Sequence, residues 1–237
     1  MHPPTGGSDQ MARPVELMLA GLALALLAPL MALIALAVWL ERRGPVLYRE
    51  PRLGRQGQPF AVTKFRTLAA RADGRRVVRP DASGPGRLGR VLRAMHLDEL
   101  PQLVAVVRGD MSLVGPRPER PETWSALAPS LRQRALALRP GLTSPAALRY
   151  LCEDSVLIEF ADPDRLYREA LFPAKLGEDL SYFETRTLYT DLKVLAATIR
   201  RAWFARGADA DCRQRVRALL LAHDAGRDDD TMETGRA

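Results

Sequence analysis

The chain has 237 residues, enough to bury a sizeable core, and that length suits one catalytic domain with appendages better than two independent domains. Its formal charge of +7 suits an anionic partner, whether nucleic acid, a phospholipid surface or a phosphorylated substrate, but aromatics are only 6% of residues and form no stacking motif, which argues against nucleic acid. Cys152 and Cys212 belong to no CxxC pair and read as reduced thiols in a cytosolic domain, while the scattered His2, His96 and His223 exclude a zinc site, so any metal should be oxygen-bound.

Residues 1–12, rich in Pro, Gly and polar side chains, read as a disordered lead. From Leu17 to Leu40 no charged residue occurs, a run that exceeds the ~20 residues needed to cross a bilayer as a helix. The segment over 13–43 is therefore a membrane helix. Pro29 at its midpoint removes a backbone donor, leaving halves of about 18 Å at 1.5 Å per residue, which can enter a ~30 Å core and return. A kinked spanning helix is the alternative.

After Gly44-Pro45, two β-rich runs over 46–49 and 59–65 flank Gly54-Arg55-Gln56-Gly57 and predict a hairpin. Residues 71–86 read as a mobile surface loop. Leu88, Val91, Leu92 and Met95 predict a helix over 87–96, with Asp98 and Glu99 continuing its apolar stripe. A short apolar element follows at 103–107, then a strand-like Met111–Val114 stopped by Gly115-Pro116-Arg117-Pro118. Helices are predicted over 121–138, 155–172 and 186–204, the last basic and aromatic enough to lie on a membrane surface, and 206–237 reads as a charged flexible tail.

Asp98-Glu99 is the first candidate for chemistry, because a carboxylate beside an apolar stripe and near arginines can act as nucleophile, metal ligand or base. Helix capping is the competing reading. Lys64 and Arg66 lie on the hairpin, Arg93 five residues before Asp98, and Arg117 between two prolines that stiffen it as a phosphate clamp requires; a solvated turn is the bland reading of that last motif.

Lys64-Phe65-Arg66-Thr67, Leu97-Asp98-Glu99-Leu100-Pro101-Gln102-Leu103 and the block from Gly109 to Glu119 resemble the signature blocks of the bacterial sugar transferases, the monotopic polyprenyl-phosphate phosphoglycosyl transferases. The resemblance implies an α/β catalytic domain over 44–205, helices around a small β-sheet or hairpin, with an N-terminal re-entrant membrane helix broken at Pro29. It implies an enzyme on the cytoplasmic face of the bacterial inner membrane that moves a sugar 1-phosphate from a nucleoside diphosphate sugar to polyprenyl (undecaprenyl) phosphate. By the same resemblance Asp98 is the nucleophile that forms a phosphosugar intermediate, and Glu99 its acid-base or metal partner. Asp98 and Glu99 would hold Mg²⁺, and Lys64, Arg66, Arg93, Arg117, Arg149 and Asp179 would contact substrate. Membrane lipids are implied partners, and the family admits a homodimer. Two departures stand out: Ala28-Pro29 replaces the usual Ser-Pro, and Arg139-Pro140-Gly141-Leu142-Thr143-Ser144-Pro145 replaces a block with a second glycine, which keeps a catalytically degenerate relative in play.

Overall fold

The computed structural model describes residues 13–68, 85–204 and 210–234; the expected lead over 1–12 and most of the surface loop expected over 71–86 lie outside the described residues. The uncharged run forms α1 (Arg13–Arg42). The helix continues across Pro29 instead of dividing there. A proline removes a single backbone donor, and flanks of Leu and Ala, strong helix formers, carry the helix past it. Both halves pack on the rest of the chain. Leu19, Ala20, Ala23, Leu24 and Leu27 meet Leu103, Val106, Met111 and Leu113, and Leu30, Met31, Ile34 and Val38 meet Phe65, Leu92, Leu97 and Leu100. Leu22, Leu26, Leu33, Leu36 and Leu40 face outward, so one side of α1 is an apolar surface along its whole length.

The expected hairpin is present: β1 (Leu47–Leu53) and β2 (Pro59–Phe65) pair antiparallel with Leu47 opposite Phe65 and Leu53 opposite Pro59. α2 (Arg87–Ala94) then stops short of Asp98, because His96 takes a left-handed conformation and a separate 3₁₀ turn, Leu97–Gln102, begins. The two carboxylates thus do not continue the stripe of α2; the turn presents them independently. α3 (Leu103–Arg108) follows directly and ends at Gly109, whose φ of 97° lets the N–H groups of Gly109, Asp110 and Met111 all converge on the Ala105 carbonyl. β3 (Ser112–Val114) pairs in parallel with β4 (Gly141–Thr143), forming a second two-stranded sheet.

The helices expected over 121–138 and 155–172 are each divided. α4 (Pro121–Ser125) and α5 (Pro129–Leu136) are separated because Ala128, ahead of a proline, is extended. After α6 (Pro145–Arg149), α7 (Glu153–Leu157) and α8 (Pro163–Leu166) are separated at Asp162, whose carboxylate caps α8 through the Arg165 N–H. A π turn, Tyr167–Leu171, leads into α9 (Phe172–Thr185), and α10 (Leu188–Phe204) matches the expected surface helix.

The expected flexible tail is instead largely a helix, α11 (Ala210–Thr234). Its Cys212, Val216 and Leu220, spaced at one helical turn, are buried against Trp124, Leu157, Leu166, Tyr167 and Phe172. Cys152 and Cys212 are joined in a disulfide across a separation of 60 residues, where two reduced thiols were expected. Their spacing carries no pairing signal; only the docking of α11 beside the start of α7 brings them together.

Candidate active site

Three separately folded pieces of backbone converge on Glu99. β2 delivers Lys64, whose Nζ donates to Glu99 Oε1 at 2.6 Å. The segment after β3 delivers Arg117, whose Nη2 donates to the same oxygen at 2.8 Å. The 3₁₀ turn supplies the carboxylates themselves, and neither that turn nor α3 has a side-chain cap, so capping does not account for Asp98. Burial alone would raise the Glu99 carboxyl, but the Arg117 and Lys64 cations outweigh it and hold Glu99 well below the usual carboxylate range. Asp98 is shifted the other way: burial first, then the adjacent Glu99 charge, push its carboxyl up, against the opposing pull of Lys64 and Arg93. The adjacent acids are therefore electrostatically distinct. One is a fixed anion already paired with two cations; the other is buried, more basic and close to Arg93.

Arg117 is positioned from both directions. Upstream, Gly115 and Gly141 approach so closely that a Cβ on Gly115 would lie 2.6 Å from the Gly141 nitrogen, and Gly141 N–H donates to Pro116 O while Gly115 N–H donates to Thr143 O. Downstream, buried Glu119 accepts from Tyr167 Oη at 2.6 Å and Arg52 Nη1 at 3.1 Å, and its carbonyl accepts from Leu53 N and Trp124 Nε1. Between these anchors Pro116 and Pro118 restrict the backbone, so the guanidinium is presented from a fixed main chain and is aimed by its bond to Glu99.

The other expected contacts are distributed differently. Arg66 turns its guanidinium against Gly44, just beyond α1, where a Cβ would lie 3.0 Å from Nη2. Arg149 faces Glu178 at 3.6 Å. Buried Asp179 accepts from Ala146 N at 3.0 Å and from the Ser144 hydroxyl, bracing the loop that begins α6, and burial raises its carboxyl to about 6. Two acids that the sequence reading did not single out also organise the site: Glu119, and Glu16, whose Oε1 accepts from Leu113 N at 2.6 Å and ties the first turn of α1 to β3. Glu16 carries a signal in retrospect, as a lone acid opening an apolar run.

Among the described residues no group of three or more His, Cys, Asp or Glu is arranged to hold a metal ion. Mg²⁺ commonly uses only one or two carboxylates and completes its shell with water and substrate phosphate, and adjacent Asp98 and Glu99 fit that donor set.

A family profile described as bacterial sugar transferase matches residues 8–205. The chain is 40% identical over 196 residues to a UDP-glucose:undecaprenyl-phosphate glucose-1-phosphate transferase of Caulobacter vibrioides, covering 81% of this chain and 69% of that protein. It is 35% identical to an undecaprenyl-phosphate glucose phosphotransferase of Komagataeibacter xylinus, covering 83% of this chain but only 36% of that protein. It is 31% identical to an exopolysaccharide production protein of Rhizobium meliloti, covering 86% of this chain and 90% of that protein.

Proposed function

The chain belongs to the bacterial sugar transferase family, and from that premise we propose that it transfers a sugar 1-phosphate from a UDP-sugar to undecaprenyl phosphate, initiating exopolysaccharide synthesis. The observation that carries this reading is the asymmetric pair at the 3₁₀ turn: a buried Asp98 of raised basicity beside a Glu99 fixed by Lys64 and Arg117.

In the proposed reaction an Asp98 carboxylate oxygen attacks the phosphorus bonded to the sugar. The bond to the bridging diphosphate oxygen breaks, and uridine monophosphate leaves with that oxygen. The lipid phosphate oxygen then attacks the same phosphorus, the bond to Asp98 breaks, and the carboxylate is regenerated as the lipid diphosphosugar departs. Covalent catalysis of this kind lets one site serve a water-soluble donor and a membrane-soluble acceptor in turn. Arg117 and Lys64 offset the charge gathering on the phosphoryl oxygens. Glu99, being depressed, is a poor proton acceptor at neutral pH, and its role on this reading is to aim Lys64 and Arg117. Mg²⁺, when bound by Asp98, Glu99 and the donor, would neutralise diphosphate charge.

The membrane placement we propose is monotopic, with the catalytic domain on the cytoplasmic face of the inner membrane. Arg13 at the start of α1 donates to the Val106 and Met111 carbonyls, and Glu41 near its end accepts from Leu88 N. A helix of 30 residues is about 45 Å long, and one tied to the same body at both ends lies along that body rather than passing through the bilayer away from it.

The direct test is Asp98→Asn in purified, membrane-reconstituted protein supplied with UDP-sugars. Release of uridine monophosphate should fall by at least about 10³-fold, as loss of a nucleophile predicts; release at the wild-type rate would remove Asp98 from the mechanism.

A further inference from the structure

The helix α11 lies outside residues 8–205, the span of the family profile, yet it is packed into the catalytic body. Its buried side chains rest chiefly on α7 and on the π turn Tyr167–Leu171. One covalent bond secures it there: Cys152, the residue before α7, is joined to Cys212 in the first turn of α11, and both are buried. Contacts lead from this bond to the active site. Glu153, next to Cys152, accepts from Lys175 Nζ at 2.5 Å, and that ammonium lies 5.7 Å from the centre of the Tyr167 ring. The Tyr167 ring also stacks on Phe172, which in turn meets Trp124 edge-on. Tyr167 Oη and Trp124 Nε1 both donate to Glu119, the first to its carboxylate at 2.6 Å and the second to its carbonyl at 3.3 Å. Tyr167 and Glu119 are each 1% exposed, so bulk water replaces neither partner and the position of one constrains the other.

Only Pro118 separates Glu119 from Arg117, and its fixed backbone carries a displacement of Glu119 to the main chain that presents the guanidinium. Misplacement of about 1 Å at a contact such as that of Arg117 with Glu99 can cost on the order of 10²-fold in rate. Opening the disulfide leaves two thiols in the same packed space, and sulfurs no longer bonded must separate to van der Waals contact, which shifts α11 against the start of α7. A cavity of about 460 Å³ between these helices, lined by Val156 and by Ala210 and Arg213 on either side of Cys212 in sequence, brings solvent up to the first turn of α11. On a cytoplasmic face thiols are kept reduced, and the disulfides that do form there are usually transient and redox-sensing. We propose that the Cys152–Cys212 pair is a redox control of the active site: the disulfide braces Tyr167 as a positioning residue for Arg117, and the dithiol releases it. Oxidation by a hydroperoxide takes the two thiols to one disulfide, and their two electrons and two protons convert the peroxide to an alcohol and water. Reduction by a protein dithiol returns both hydrogens to the cysteines and leaves that dithiol as its own disulfide. The effect on turnover rests on the proposed transferase reaction and membrane placement; the brace itself does not.

The test compares full-length protein oxidised with hydrogen peroxide and reduced with a phosphine, the state of the pair being counted by thiol titration. On reduction, the burst of uridine monophosphate from a UDP-sugar without acceptor should slow about tenfold, within the ~5–150-fold usual for coupling between sites, while its amplitude, which counts folded sites, stays the same. Cys212→Ser should show the slow burst under both conditions; if that variant does not fold, reduced wild-type protein carries the same comparison. Tyr167→Phe, which removes only the hydroxyl, should slow the oxidised enzyme, and reduction should then slow it by less than about twofold, as expected for two changes on one route. Hydrogen exchange of the peptide containing Glu119 and Trp124, followed without substrate, should quicken when wild-type protein is reduced. Equal burst rates in the two redox states would overturn the control, and equal slowing of Tyr167→Phe and wild type on reduction would overturn Tyr167 as its route. A lower amplitude at an unchanged rate would make the disulfide a structural staple only. Absence of any burst in oxidised wild-type protein counts against the transferase reaction alone, because hydrogen exchange reads the brace without turnover; exchange that reduction leaves unchanged would overturn the brace.

Discussion

Asp98 and Glu99 differ by one position in sequence and are pushed in opposite directions by their surroundings, which makes their titration a test of the site. In protein freed of divalent metal, the Asp98 carboxyl should take up its proton at a midpoint above the ordinary aspartate range, read from its carboxylate infrared absorption. Glu99→Gln removes one of the charges that raises Asp98 and leaves Lys64 and Arg117 uncompensated, so that midpoint should move down, and on the proposed mechanism the rate at neutral pH should fall as the two cations lose their aim; a midpoint that stays put would show that the pair is not coupled. Asp179 gives an independent measure through stability. Its folded-state carboxyl lies at about 6, above the unfolded value, so the folded protein holds a proton that the unfolded chain gives up. Stability contributed by that proton is present at low pH and is lost as pH rises through about 6. Asp179→Asn should flatten this decline in a series of melting curves between pH 4 and 7 while keeping an oxygen to accept from Ala146. The chemistry-bearing residues were legible because their types are unusual in their setting: an acid pair beside apolar residues and an arginine between prolines. The part played by Asp179 was not legible, because whether a carboxylate touches substrate or a backbone N–H depends on the packing of α9 against α6.

At the scale of elements, local rules located the hairpin, α2 and α10, and failed where one residue overrides a periodic pattern. Left-handed His96 separates Asp98 from α2, and Pro129 and Pro163 begin new helices inside runs that read as continuous. α11 was missed for another reason. Its charged, Gly-containing sequence looks solvated throughout, whereas among the described residues Cys212, Val216 and Leu220 are buried in the core and Leu219 packs against it partly buried. It lies beyond residues 8–205, so the family resemblance could not supply it either. Its contribution is nonetheless measurable. Leu220→Ala should lower unfolding stability by about 2–5 kcal/mol, the usual range for a fully buried leucine, and Cys212→Ser by about 2–4 kcal/mol if the bond constrains the unfolded chain. Denaturant titration checks both; losses under about 0.5 kcal/mol would mean that α11 is not docked in solution.

For the molecule as a whole, the uncharged run announced contact with a membrane, and the monotopic placement we propose draws instead on tertiary structure, on the bonds that tie both ends of α1 to one body. Pro14→Cys and Gly44→Cys should accordingly be labelled alike: shielded from an impermeant maleimide in intact cells and modified in inverted membrane vesicles. Labelling of one end from outside would mean a spanning helix. The reaction we propose runs as two half-reactions in sequence on one residue, Asp98. Intact-protein mass spectrometry after incubation with the UDP-sugar donor and no lipid acceptor addresses it most directly. The expected result is a mass increase of one phosphosugar, mapped to the peptide containing Asp98, absent from Asp98→Asn and discharged by added undecaprenyl phosphate; turnover with an unmodified enzyme under conditions that trap the intermediate, or an adduct on another residue, would contradict the proposed mechanism.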